Sequence, residues 1–330
     1  MSAIETAERL RNLANAYAVA TDSRDDDRVR YLQEEMRAAL AEAGPATTGL
    51  VHPFAGITDP VEFFTRKKEG LRLAVPGMDS VLPCVNEEIV LLGALPSAGK
   101  STLAVQIADE ALGQGWRVLV CAFEQGWRTW EGISAARIAR LNSRHLLEGT
   151  ACPHATNAIR SVLTDQRMAF VAENRIYADP PPSSIAELES LVRQVQSDTE
   201  HPRKLLVIAD AIQDFPAEAA NRREGIDAVI AGMRHVARTC GVPILATSHV
   251  NSEGEYKESR GLLYKADVGL LLEAEPDKSF MGVDAIGGQY NVTPTRLTVT
   301  KNRDGEAGVT AWLDFHMAVR RFEAQRGGFD

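Results

Sequence analysis

A lysine and a hydroxyl behind a glycine, carboxylates that close apolar runs, and a basic pair before a late glycine stand where chemistry can use them. The first group is Ala94-Leu-Pro-Ser-Ala-Gly-Lys-Ser101, directly after the apolar run Ile89-Val-Leu-Leu92. It reads as a phosphate-binding loop between a buried strand and a helix. Gly99 lets the backbone curl so that successive N–H groups face phosphate oxygens, Lys100 can reach the β and γ phosphates, and the Ser101 hydroxyl can ligate Mg²⁺. The helix from Thr102 onward aims its positive dipole end at the same anion. On this reading Ala94, Pro96, Ser97, Ala98, Gly99, Lys100, Ser101 and Thr102 bind a nucleotide. Ala94 stands where the usual G-x-x-x-x-G-K-[ST] pattern has its first glycine.

The carboxylates come next. Leu205-Leu-Val-Ile-Ala-Asp210 is an apolar strand closing on an acid. Ligands of parallel sheets bind beyond the carboxyl ends of strands, so Asp210 can hold Mg²⁺ through its water shell, or serve only as a turn or capping aspartate. Val118-Leu-Val-Cys-Ala-Phe-Glu124 also ends on a carboxylate, which can orient and deprotonate water or simply face solvent. Ile244-Leu-Ala-Thr-Ser-His-Val250 puts Ser248 and His249 at another strand tip, as a γ-phosphate sensor or as structural residues. Thr300-Lys-Asn-Arg-Asp-Gly305 is a basic tip. It is either an ordinary charged turn or a source of cations, Lys301 and Arg303, for a neighbour's nucleotide.

Alternating strands and helices must position these residues. Strands are expected over 88–95, 117–124, 175–177, 205–210, 243–250, 269–275, 296–301 and 309–315. Helical patterns lie at 102–112, 129–141, 184–195 and 225–239. The alternation implies an α/β fold with a largely parallel, twisted sheet and helices on both faces. The last three strands lack intervening helices and read as an antiparallel extension. The domain expected to hold the site spans 71–330. Before it, residues 1–45 read as a helical hairpin, with Val29, Leu32, Met36 and Leu40 at helical spacing, and residues 46–70 as a linker with a short helix opened by Asp59-Pro60.

The bulk properties narrow the classes. The chain has 330 residues, 45% hydrophobic and 25% charged, which is ordinary for a globular protein. No apolar stretch suits a bilayer span and no secretory pattern opens the chain, so no membrane contact and a cytoplasmic setting are expected. The four cysteines, Cys84, Cys121, Cys152 and Cys240, form no C-x-x-C pair, which argues against a zinc module. A net charge of −9 argues against a broad nucleic-acid-coating surface but leaves room for a local basic channel.

Taken in order, these segments resemble the ATPase domain of DnaB-type replicative helicases, within the RecA-like superfamily, from about residue 58 to 324. The loop at 94–101 is similar to that family's A-R-P-S-x-G-K-T, which also begins with alanine. Ala122-Phe-Glu124 resembles its S-L-E, Val207-Ile-Ala-Asp-Ala-Ile-Gln213 its I-D-Y-L-Q, and Gly241-Val-Pro-Ile-Leu-Ala-Thr-Ser-His249 its N-V-P-V-x-A-L-S-Q with histidine for glutamine. Ala266-Asp-Val268 resembles its D-A-D-x, and Lys301-Asn-Arg303-Asp-Gly305 its K-Q-R-N-G. RadA, a recombination ATPase of the same superfamily, is matched in part by Ser248-His-Val-Asn-Ser-Glu-Gly254 and by Lys301-Asn-Arg303. It carries a zinc module and a protease-like domain, and neither pattern is present here.

The resemblance implies a RecA-like P-loop fold, ATP with Mg²⁺ as cofactors, Glu124 as catalytic base, and Arg303 assisted by Lys301 acting across a subunit interface. It also implies a homo-oligomer, expected as a hexamer, moving on single-stranded DNA. The DNA-contacting spans would hold Arg222 and Arg223, then Lys257 and Arg260, interleaved with Glu218, Glu224, Glu253, Glu255 and Glu258. A full replicative helicase has an N-terminal domain of about a hundred residues. Residues 1–57 offer a helical hairpin instead, as the contact for a loader or for a replication or recombination partner. Two other functions fit the same residues: a regulatory or assembly ATPase that switches oligomerisation or partner binding without unwinding, and a RadA-like recombination accessory.

Overall fold

The segments Ile89–Ala94, Leu205–Asp210 and Ile244–His249 are apolar along most of their length, as strands covered on both faces must be. In the computed structural model they are β3, β6 and β7, side by side at the centre of one sheet. The structure describes residues 69–78, 80–147, 173–198, 204–216, 221–251 and 261–329, with a few isolated positions elsewhere. The chain divides into two units, Met1–Lys67 and Lys68–Asp330, and the second carries the sheet. The hairpin expected over 1–45 and the linker helix before residue 69 lie outside the described residues, isolated positions apart.

A small antiparallel pair, β1 (Leu71–Arg72) with β2 (Cys84–Val85), precedes the main sheet. The other strands are β4 (Arg117–Ala122), β5 (Arg175–Tyr177), β8 (Val268–Ala274), β9 (Phe280–Val283), β10 (Gln289–Asn302), β11 (Thr310–His316) and β12 (Arg321–Phe329). The sheet runs β12-β11-β10-β8-β3-β7-β6-β4-β5, with β9 paired to β10. From β8 to β5 neighbouring strands are parallel. From β8 to β12 they are antiparallel, as is β9 on β10.

Helices cover both faces, and the strand alternation divides the core accordingly. Val90, Leu92, Val118, Val120, Leu206 and Ile208 face one cluster, which includes Leu103 and Ile107 of α1 (Lys100–Gly113) and Trp130 of α2 (Trp127–Ala139). Ile89, Leu91, Leu119, Cys121, Val207 and Ala209 face the other. After the short α3 (Arg144–Leu147), α4 (Ile185–Gln196) brings Leu188 and Val192 to that second cluster, and α5 (Arg222–Cys240) brings Val229, Ile230 and Met233. Local chemistry sets the ends of these helices. Ser184 caps α4 by accepting from the Glu187 N–H at 3.2 Å, and Asn221 caps α5 by accepting from the Glu224 N–H at 2.9 Å. Gly241, at φ 63°, closes α5 in the left-handed conformation that glycine adopts without strain.

The sheet corrects one expectation. The strand expected at 269–275 does not belong to the antiparallel extension: β8 is parallel to β3 and flanks it opposite β7. The chain between β7 and β8 includes α6 (Gly261–Lys265) and returns to the starting end of the sheet, which makes the connection a crossover. The antiparallel part begins one strand later, at β10.

Candidate nucleotide site

Four strand ends converge beside the glycine loop. Ala94, the last residue of β3, is in register with His249 of β7. Asp210, the last of β6, is in register with Ala122 of β4. Beyond Ala122 the chain stays on β6, because the Phe123 and Glu124 N–H groups donate to the Asp210 carbonyl at 2.7 and 3.2 Å. Ala94 is fully buried, and its carbonyl accepts from the Val250 N–H at 3.1 Å.

The loop leaves β3 through Leu95, exposed Pro96 and exposed Ser97, the last with φ 64°. Ala98 is buried and its N–H returns to the Leu95 carbonyl at 3.2 Å. Gly99 has φ 93°, and a Cβ placed on it would sit 2.7 Å from Phe322 Cζ and 2.8 Å from Phe315 Cζ. Those two rings stack at 4.3 Å with an 8° tilt, so β11 and β12 supply an aromatic floor under the loop. Gln106 of α1 fixes β12 there. Its amide donates to the Phe322 carbonyl at 3.0 Å and accepts from the Phe322 N–H at 2.9 Å.

Lys100, Ser101 and Thr102 open α1, with Thr102 buried and Ser101 partly so. The Lys100 ammonium lies 3.8 Å from Glu124 Oε2 and 3.3 Å from His249 Nε2. His249 Nε2 is itself 3.6 Å from Glu124 Oε2. Burial lowers the Lys100 pKa below its usual 10.5, against the opposing pull of Asp210, Glu124 and Asp214. Burial, then the Lys100 charge, lowers His249 below the ordinary imidazole value of 6.5, which favours its neutral form. A lysine, a carboxylate and an imidazole thus lie within 4 Å of one another, where a triphosphate would find a cation, a base and a hydrogen-bonding ring.

Asp210 is 0% exposed. Its Oδ1 accepts the Thr247 hydroxyl, while its Oδ2 is buried with no hydrogen-bond partner. A buried carboxyl oxygen in that state calls for a partner, such as a cation or its bound water. Among the described residues no group of three His, Cys, Asp or Glu side chains forms a metal cage. A Mg²⁺ ion here would therefore draw most of its ligands from phosphate and water, which is how that ion binds beside triphosphates. Asp210 and the hydroxyl of Ser101 fit it.

Three further residues take part. Asp214 sits in a 3-10 turn (Ile212–Asp214) after β6 and adds negative potential at Lys100 and His249. Thr247 holds Asp210. Gln213 donates to the buried Ser248 hydroxyl at 2.7 Å, so of the two tip residues it is His249 that faces Lys100. A polar residue two before His249 on the same strand face was the available signal for Thr247.

The late basic pair is elsewhere. Lys301 is in register with Gly269 and Asn302 with Val268, at the start of β8, whereas Ala94 is in register with Leu272 near its end. Four residues of strand, about 13 Å, separate the two levels. Lys301 and Arg303 therefore lie at the opposite end of the sheet from Lys100. Arg222 and Arg223 open α5, and Lys257 and Arg260 lie outside the described residues.

The fold is shared with proteins of known structure. The chain resembles one solved ATPase domain with TM-score 0.66 and 19% identity, over 81% of this chain and 95% of that one. It resembles a DnaB-like replicative helicase, whose structure is described with its interactions with primase, with TM-score 0.68 and 16% identity over 97% of this chain and 77% of that one. A KaiC-like protein from the archaeon Pyrococcus horikoshii OT3 shares the fold at TM-score 0.52 and 13% identity, over 78% of this chain and 99% of that one. The DNA repair protein RadA of Bacillus subtilis (strain 168) is 25% identical over 210 residues, 63% of this chain and 38% of RadA's length. Residues 70–324 match the model of the DnaB-like helicase C terminal domain, and the chain belongs to that family.

Proposed function

We propose that the chain is a ring-forming ATPase that hydrolyses ATP at subunit interfaces and moves along single-stranded DNA. The observation that carries this reading is the division of the residues between two ends of one sheet. Lys100, Glu124, His249 and Asp210 gather at one end, and Lys301 and Arg303 at the other. A cation at the far end serves a nucleotide only if that nucleotide belongs to an adjoining copy, and head-to-tail contacts of that kind form a ring when their rotation closes.

In this reading the loop N–H groups and Lys100 bind the phosphates. Ser101 and Asp210 would hold Mg²⁺, which would supply charge withdrawal from those phosphates. Glu124 orients the attacking water and takes its proton. His249 reports the γ-phosphate to the chain that follows β7. Arg303, with Lys301, stabilises the charge of the transferring group from the neighbouring copy. DNA would be met by Arg222 and Arg223, and by Lys257 and Arg260.

The test is the ATPase rate with and without single-stranded DNA, run beside strand displacement on a forked duplex. Stimulation by DNA together with displacement is the expected result. Hydrolysis unaffected by DNA, with no displacement, would overturn it. That outcome would favour a nucleotide-driven assembly switch, a reading supported by the net charge of −9 and by Glu224 beside Arg222 and Arg223.

A further inference from the structure

Asp267 stands between α6 and β8 and is 5% exposed. Its Oδ2 accepts from the N–H of Ile89, the first residue of β3, at 3.0 Å. Its Oδ1 accepts from Arg234 Nη2 of α5 at 2.9 Å and lies 2.9 Å from Arg303 Nη1. The backbone repeats the contact, since the Arg303 N–H donates to the Asp267 carbonyl at 3.0 Å. Lys301 rests on the same stretch of chain, its ammonium donating to the Leu263 and Tyr264 carbonyls at 2.9 and 2.8 Å.

We infer that Asp267 is the positioning residue for Arg303, fixing the guanidinium so that it meets the phosphates held by an adjoining copy. The inference rests on the trans role of Arg303 proposed above. A half-exposed arginine has many rotamers, and stabilising a transferring phosphoryl group requires one of them in advance. Asp267 engages one nitrogen of a planar fork that carries five N–H donors, which sets the plane and leaves the fork its capacity for phosphate. Arg234 on the same oxygen offsets part of the carboxylate charge, so Arg303 is held without being neutralised. The Ile89 contact ties this support to the strand that carries the subunit's own glycine loop.

The experiment uses the full chain and three variants, Asp267→Asn, Arg303→Ala and Lys100→Ala, singly and in mixed assemblies. Asp267→Asn keeps the shape and lowers kcat roughly 10- to 100-fold through misplacement of the guanidinium, with KM for ATP unchanged. On the Arg303→Ala background it causes no further loss. Mixed with Lys100→Ala, whose site is dead but whose Asp267 and Arg303 are intact, it regains activity that neither variant has alone. Recovery by Arg303→Ala with Lys100→Ala, but not by Asp267→Asn with Lys100→Ala, would overturn the inference and place the effect of Asp267 on its own β3. Absence of recovery in both mixtures would overturn the trans reading and this inference with it. If Asp267→Asn fails to bind nucleotide, Asp267→Glu, which keeps the charge on a longer arm, goes through the same mixtures, and recovery or its absence there decides in the same way.

Discussion

Glu124 is close enough to Lys100, 3.8 Å, that its charge could serve either to activate water or to hold the lysine in place. The two roles separate on Glu124→Gln. If Glu124 is the base, hydrolysis falls about 10²- to 10⁴-fold while a fluorescent ATP analogue binds as before or more tightly, because a negative charge beside the phosphates has gone. Loss of analogue binding would assign Glu124 to the lysine instead. His249 gives a pH signature. Its pKa lies below 6.5 in the folded chain, first through burial and then through Lys100. Between the folded value and 6.5 the unfolded chain binds the extra proton and the folded chain does not, so acidification through that window lowers stability. Thermal melts from pH 7.5 down to pH 5 should show the wild type losing more than His249→Gln, and parallel curves would remove His249 from the balance. Lys100, Ser101, Glu124, Asp210 and His249 were legible because each follows an apolar strand or a glycine turn. The roles of Thr247 and Gln213 were not, because each exists only through a side-chain contact with a segment distant in sequence, and that of Asp214 was not, because it acts only by its charge on Lys100 and His249.

At the scale of elements, the glycine loop depends on strands that close the fold far downstream. Phe322 is 1% exposed and Phe315 likewise, and their stacked rings underlie Gly99. Phe322→Ala should cost about 3–5 kcal/mol in urea unfolding, as large aromatic deletions in cores do. Gly99→Ala meets two obstacles, the rings within 2.9 Å of the added carbon and a φ of 93°. It should abolish nucleotide binding in a titration while the far-ultraviolet spectrum is kept, and wild-type binding by that variant would show the floor to be irrelevant. The sequence announces the loop but not this floor. β12 alternates Phe322 with the charged Arg321 and Glu323, so it does not carry the apolar run by which β3, β6 and β7 declare themselves. The direction of β8 is hidden for a related reason. Direction is set by the crossover between β7 and β8, not by the residues of β8 itself.

At the scale of the whole molecule, the sheet has two working ends, and one copy cannot bring them together. Lys100 marks the C-terminal ends of the parallel strands, while Lys301 and Arg303 mark the N-terminal ends near β8. If a working site takes Lys100 from one copy and Arg303 from the next, a Lys100→Ala/Arg303→Ala double variant spoils two sites for every copy it contributes. Doping it into wild-type chain before assembly should then lower ATPase activity as the square of the wild-type fraction, to about one quarter at equal parts, provided the sites fire independently. If both residues served the same copy, the fall would be linear, to about one half at equal parts. The measurement is steady-state phosphate release across a mixing series at fixed total protein. A straight line would confine each site to one copy and leave the far-end cations as structural ties on α6 and Asp267. Curvature deeper than the square would keep the shared site and add coupling between the sites of one assembly, so that one spoiled copy silences more than its two neighbouring sites.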